Sequence, residues 1–74
     1  MEYPKDYSEK PVDELYSEAV DIVIKEQRCT ASLLQRRFTI GYAKAAHLID
    51  LMEERGVVEM WSSGKERKVL LTFN

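Results

Sequence analysis

The side chains best able to do chemistry lie close together in mid-chain: Lys44 and His47, followed by Asp50, Glu53 and Glu54. Their types and spacing do not make a catalytic set. His47 has no Ser, Cys or carboxylate placed by a triad-like motif. Asp50, Glu53 and Glu54 are helix neighbours that read as a solvated face, not as an acid/base pair. One Cys and one His exclude a structural zinc site. No Gly-rich phosphate loop is present, so the chain is not expected to hydrolyse a nucleotide, and no enzyme activity, cofactor or metal is expected. The pattern fits contact with a nucleic acid. Lys44 can donate to guanine O6 and N7, and His47 to an acceptor on a base or a phosphate. The plain alternative for a lone histidine is a surface position with no task.

These residues need a helix to present them. Ala45, Leu48, Ile49 and Met52 recur at i, i+3, i+4 and i+7, which predicts a buried stripe. Ala43, Lys44, His47, Asp50 and Glu54 then face the other way. Gly56 supplies a left-handed residue to end this helix, and Val57 can fold back on its last turn. The whole organising stretch is residues 39–56. Before it, Asp13 is expected to cap a first helix over residues 14–27, with Leu15, Tyr16, Ala19, Val20, Ile22 and Val23 as its apolar face. Thr30 is expected to cap a second helix over residues 31–37 that buries Leu33, Leu34 and Phe38. Between these two, Cys29 is expected to make a short pairing with a later strand. A brief turn containing Gly41 leads into the third helix, which is the helix-turn-helix pattern. Residues 57–61 and 65–73 read as two strands around a Gly-containing turn at residues 62–64, a β-hairpin. The expected fold is therefore α+β, mainly α: a winged helix-turn-helix of three helices followed by a β-hairpin wing. Residues 1–12 read as a flexible tail or linker, and residues 13–74 as the single domain.

The 74 residues carry a net charge of -2, an objection to polyanion binding that the charge distribution weakens. Residues 1–34 hold four Lys and Arg against eight Asp and Glu, net -4; residues 35–74 hold seven against five, net +2. The chain is acidic first and basic later. It has no run near the ~20 apolar residues that span a bilayer and no secretory signal. With Cys29 its only cysteine, no internal disulfide is possible. A cytoplasmic setting without membrane contact by this domain is expected.

In a helix-turn-helix the first residues of the second helix meet base edges while the preceding helix meets the backbone. The expected DNA-binding residues are Gly41, Tyr42, Ala43, Lys44 and His47 for the groove. Gln35, Arg36 and Arg37 are expected on the phosphates, and Lys65, Arg67 and Lys68 on the wing. The alternative is a protein-docking module using Leu51, Trp61 and the wing.

The run from Leu34 to Val57 also resembles the C-terminal gamma domain of the FtsK/SpoIIIE DNA translocases. The matching segments are Gln35-Arg36-Arg37-Phe38, Ile40-Gly41-Tyr42, Ala45-Ala46 and Met52-Glu53-Glu54-Arg55-Gly56-Val57-Val58. Residues 13–20 resemble the opening of the family's first helix, and Arg67-Lys68-Val69-Leu70 its closing strand. The resemblance implies a winged helix that recognises short, polar, G-rich sequences in double-stranded DNA and so orients a chromosome-segregating motor. It further implies several copies on one DNA site and, in FtsK, contact with a XerD-type recombinase. The ATPase motor and the membrane anchor of such a parent lie in other domains. Three positions depart from the family pattern. Ala43 stands where Asn or Thr is usual, and Lys44 and His47 where Arg is usual. Lys44 keeps the charge without the bidentate fork. Each lost base contact costs ~1–3 kcal/mol of discrimination.

Overall fold

A computed structural model describes residues 10–60 and 67–72. Three helices follow one another: α1 (Val12–Glu26), α2 (Ala31–Phe38) and α3 (Tyr42–Glu54). Helix α1 starts two residues earlier than Asp13 capping would give. Pro11 is its N-cap, in extended conformation, and no side chain caps it. The Pro11 carbonyl accepts from the amides of Glu14 and Leu15. Proline suits this boundary because its missing N–H would have no partner there anyway. Val12 packs against the core, so helical structure reaches into the stretch expected as tail. Residues 1–9 lie outside the described residues.

Leu15, Ala19, Val23 and Ile24 are the buried residues of α1; Tyr16, Val20 and Ile22 pack at its margin, half-buried. Ile24, absent from the expected apolar face, completes the stripe. Gln27 ends the helix in the left-handed region at φ 54°. Its side-chain amide donates to the carbonyls of Ile24 at 2.7 Å and Leu71 at 3.0 Å. One side chain thus closes the helix end and holds the C-terminal segment.

Helix α2 starts as expected. Thr30 Oγ1 accepts the Leu33 amide at 3.0 Å, and Leu33, Leu34 and Phe38 are buried. Thr39 ends it, with φ 53°. This left-handed residue makes the turn; Gly41 has an extended backbone at φ -74° and serves as the N-cap of α3. Helix α3 is thus shorter than the stretch 39–56 that organises it. Its buried residues are the expected Ala45, Leu48, Ile49 and Met52. Its C-terminus closes as a Schellman motif: Val57 N–H donates to Met52 at 2.9 Å, Gly56 N–H to Glu53 at 3.2 Å, and Gly56 sits at φ 78°. Val57 is drawn into the core by this turn.

Helix α3 packs against both α1 and α2. Phe38, Leu15, Leu34, Leu48 and Met52 are among the largest fully buried side chains. Each contributes roughly 1.5–3 kcal/mol by burial. The Arg55 guanidinium lies 4.4 Å from the centre of the Tyr16 ring, tying the end of α3 to α1.

Residues 67–70 run between two partners. Arg67 pairs antiparallel with Cys29, its N–H donating to the Cys29 carbonyl at 3.0 Å, which places the expected short link. On the other side Val58 pairs antiparallel with Val69, supported by Glu59 N–H to Lys68 at 3.0 Å and Leu70 N–H to Val57 at 2.8 Å. These are isolated bridges, and among the described residues no extended strand forms. The described fold is a mainly helical three-helix unit. The expected hairpin turn, with Trp61 and Lys65, lies outside the described residues.

Candidate nucleic-acid interface

The first turn of α3 carries the exposed residues expected to face a groove. Gly41, Ala43 and His47 are exposed, and Tyr42 is 67 % exposed. Ala43 and His47 stand four apart, hence on the same side of the helix. Their exposure follows from the buried stripe: once Ala45, Leu48 and Met52 point inward, these positions must point out. The first turn contains no acidic residue. Further along the same side Asp50 and Glu54 are exposed, so the face changes sign along the helix. Only its N-terminal half offers donors without a neighbouring carboxylate, and that half also carries the positive end of the helix dipole.

Lys44 is half-buried, because its Nζ donates to the carbonyl of Lys10 at 2.7 Å. The residue just before α1 therefore lies against the start of α3, a tertiary contact invisible in the sequence.

At the end of α2, Arg36 is exposed, Gln35 is half-buried, and Arg37 forms an ion pair with Glu26 of α1 at 2.9 Å. That pair is solvent-accessible and easily exchanged for another anion. Three residues, Thr39 to Gly41, separate this basic end from α3, so chain connectivity keeps the two close.

The C-terminal segment alternates. Arg67 and Val69 are half-buried, whereas Lys68 and Leu70 are exposed. Arg67, expected on DNA, is instead paired with Glu53 of α3, its side chain 15 % exposed. Lys68 is the exposed cation here, and Lys65 lies outside the described residues. The period-2 signal was present in Arg67-Lys68-Val69-Leu70, but a basic run draws the eye to charge before direction.

The apolar surface differs from the patch expected at Leu51 and Trp61. Leu51 is half-buried and Trp61 lies outside the described residues. Met60 at 72 %, Leu70 at 49 % and Leu71 at 44 % are the exposed large apolar residues beside the bridges. Among the described residues no group of three or more His, Cys, Asp or Glu is placed to hold a metal ion, and no helix is long and apolar enough to cross a membrane.

This arrangement of a short basic helix end, a three-residue turn and an exposed helix start agrees with the relatives of the chain. Residues 10–72 match the family model described as Ftsk gamma domain. The chain is 57 % identical over 60 residues to the DNA translocase SpoIIIE of Bacillus subtilis, covering 81 % of this chain and 8 % of that protein. It is 52 % identical over 64 residues to the DNA translocase FtsK of Halalkalibacterium halodurans, covering 86 % of this chain and 8 % of that protein. With the DNA translocase FtsK of Listeria monocytogenes it shares 54 % identity over 57 residues, 77 % of this chain and 8 % of that protein. The chain thus spans about a twelfth of the length of these relatives. With its family model matched from Lys10 to Thr72, the chain belongs to the Ftsk gamma domain family.

Proposed function

We propose that this domain binds double-stranded DNA, recognises short polar G-rich sequences, and thereby orients a chromosome-segregating DNA translocase. The observation that carries this reading is the exposed, acid-free start of α3, preceded by the basic end of α2. Tyr42, Ala43, Lys44 and His47 enter the major groove, with Gly41 at its edge. Lys44 exchanges the Lys10 carbonyl for guanine O6 and N7, and His47 donates to a base or phosphate acceptor. Gln35, Arg36, Arg37, Lys65 and Lys68 meet phosphates, Lys65 and Lys68 from a β-hairpin wing. The acidic exterior of α1 faces away from the duplex. The domain performs no catalysis. In the parent translocase the ATPase motor and the membrane anchor lie elsewhere, in the cytoplasmic and membrane parts of a much longer chain. Several copies delivered by that motor to one DNA site convert weak single contacts into tight binding.

Fluorescence anisotropy tests the reading, with the chain titrated onto a G-rich duplex and a scrambled duplex at several salt concentrations. Preference for the G-rich duplex, with affinity falling as salt rises, is expected. Equal salt-sensitive binding to both keeps DNA binding and removes the G-rich preference. Absence of binding to either defeats it. That last outcome favours the second reading, a protein-docking module for a XerD-type recombinase or another motor subunit. The exposed Met60, Leu70 and Leu71 are the surface that supports it.

A further inference from the structure

Arg67 and Lys68 are adjacent cations with opposite surroundings. The alternation of half-buried Arg67 and Val69 with exposed Lys68 and Leu70 sends Arg67 toward the helices and Lys68 toward solvent. A charge on the inward side of such a segment is costly without a counter-charge. Glu53, in the last turns of α3, supplies one through its carboxylate to the Arg67 guanidinium. The Arg67 side chains of this pair and of Glu53 are 15 % and 28 % exposed, respectively, so it is far better shielded than the Arg37–Glu26 pair at 41 % and 35 %. The backbone of Arg67 also donates to Cys29, which is wholly buried. At one residue, therefore, α3, the link between α1 and α2, and the C-terminal segment are joined.

We infer that Arg67 is a positioning residue and not a phosphate contact: with Glu53 it sets where the segment carrying Lys68 stands relative to the exposed start of α3. The inference rests on the DNA reading above. It assigns Glu53, an acidic residue, a favourable part in binding a polyanion. Simple electrostatics assigns the opposite sign, because removing a negative charge from the domain strengthens its attraction to DNA.

The test compares Glu53→Gln and Arg67→Gln with the unaltered chain by anisotropy on duplex DNA across a salt series. Circular dichroism at the assay temperature keeps the comparison to folded protein, so a loss of stability alone does not move the affinity. Positioning predicts that both variants bind about fivefold more weakly although they change net charge in opposite directions. The double variant is then no weaker than either single one. The slope of log affinity against log salt stays unchanged in all of them, since no phosphate contact is lost. Equal or tighter binding by Glu53→Gln overturns the inference, as does a slope reduced by about one in Arg67→Gln, the mark of a lost phosphate contact. If Arg67→Gln does not fold, Glu53→Gln decides alone through its sign. Failure of the unaltered chain to bind any duplex defeats the DNA reading and this inference together. Binding by the unaltered chain with Glu53→Gln unaffected defeats this inference only.

Discussion

Helix α1 turns Leu15, Ala19 and Val23 into the core, and α3 turns in Ala45, Leu48 and Met52. Inward, the two helices are near equivalents: one apolar stripe each, packed against the other. Outward they differ. Helix α1 exposes Asp13, Glu14, Glu18, Asp21 and Glu26, whereas the first turn of α3 exposes Tyr42 and Ala43 and holds Lys44, with no carboxylate. Burial fixes which residues are left outside, and the charge of that remainder decides which helix can approach a polyanion. The same domain thus presents one helix start open to DNA and one helix that DNA would repel.

The inward equivalence has the largest expected effect. Leu15 and Leu48 are 1 % and 0 % exposed. Leu15→Ala and Leu48→Ala are each expected to lose ~2–5 kcal/mol in urea unfolding, much of the stability of a domain this small. A large cost at one site and a negligible cost at the other would break the equivalence. The outward difference comes next. His47→Glu on α3 should weaken duplex binding about tenfold or more, and Glu18→Lys on α1 should change it less than about twofold at moderate salt. Equal effects of the two reversals would mean that only net charge matters. The smallest effects belong to the two glycines that bound α3. Gly56 holds φ 78°, so Gly56→Ala should cost ~1–2 kcal/mol in thermal unfolding. Gly41 has an ordinary φ and nothing within 4 Å of an added Cβ, so Gly41→Ser should gain a few tenths of a kcal/mol as a better N-cap.

Local rules made much of this legible in the sequence. The buried stripe of α3, the three buried residues of α2, the Thr30 cap and the Gly56 terminus each depend on spacing within one helix. The antiparallel pairing of Cys29 was also anticipated, because so short a link between helices has few other ways to satisfy its backbone. The rest depends on residues far apart in the chain. The Lys44 contact with Lys10 spans 34 positions, and no periodicity announces it. Arg67 looked like one cation among several until its strand neighbours fixed its direction. The start of α1 was placed late because Asp13 is a good cap in isolation, while Val12 gains more by packing on the core. At the candidate site, the sequence indicated which side of α3 faces out but not that Lys44 is already engaged.

The most direct test of the central claim is an NMR titration of the isotopically labelled chain with a G-rich duplex, following backbone amide shifts. The account predicts the largest changes at residues 42–47 and at Arg36, with the amides of α1 beyond its first turn nearly still. Changes centred on Met60, Leu70 and Leu71, or spread evenly over α1 and α3, would contradict it.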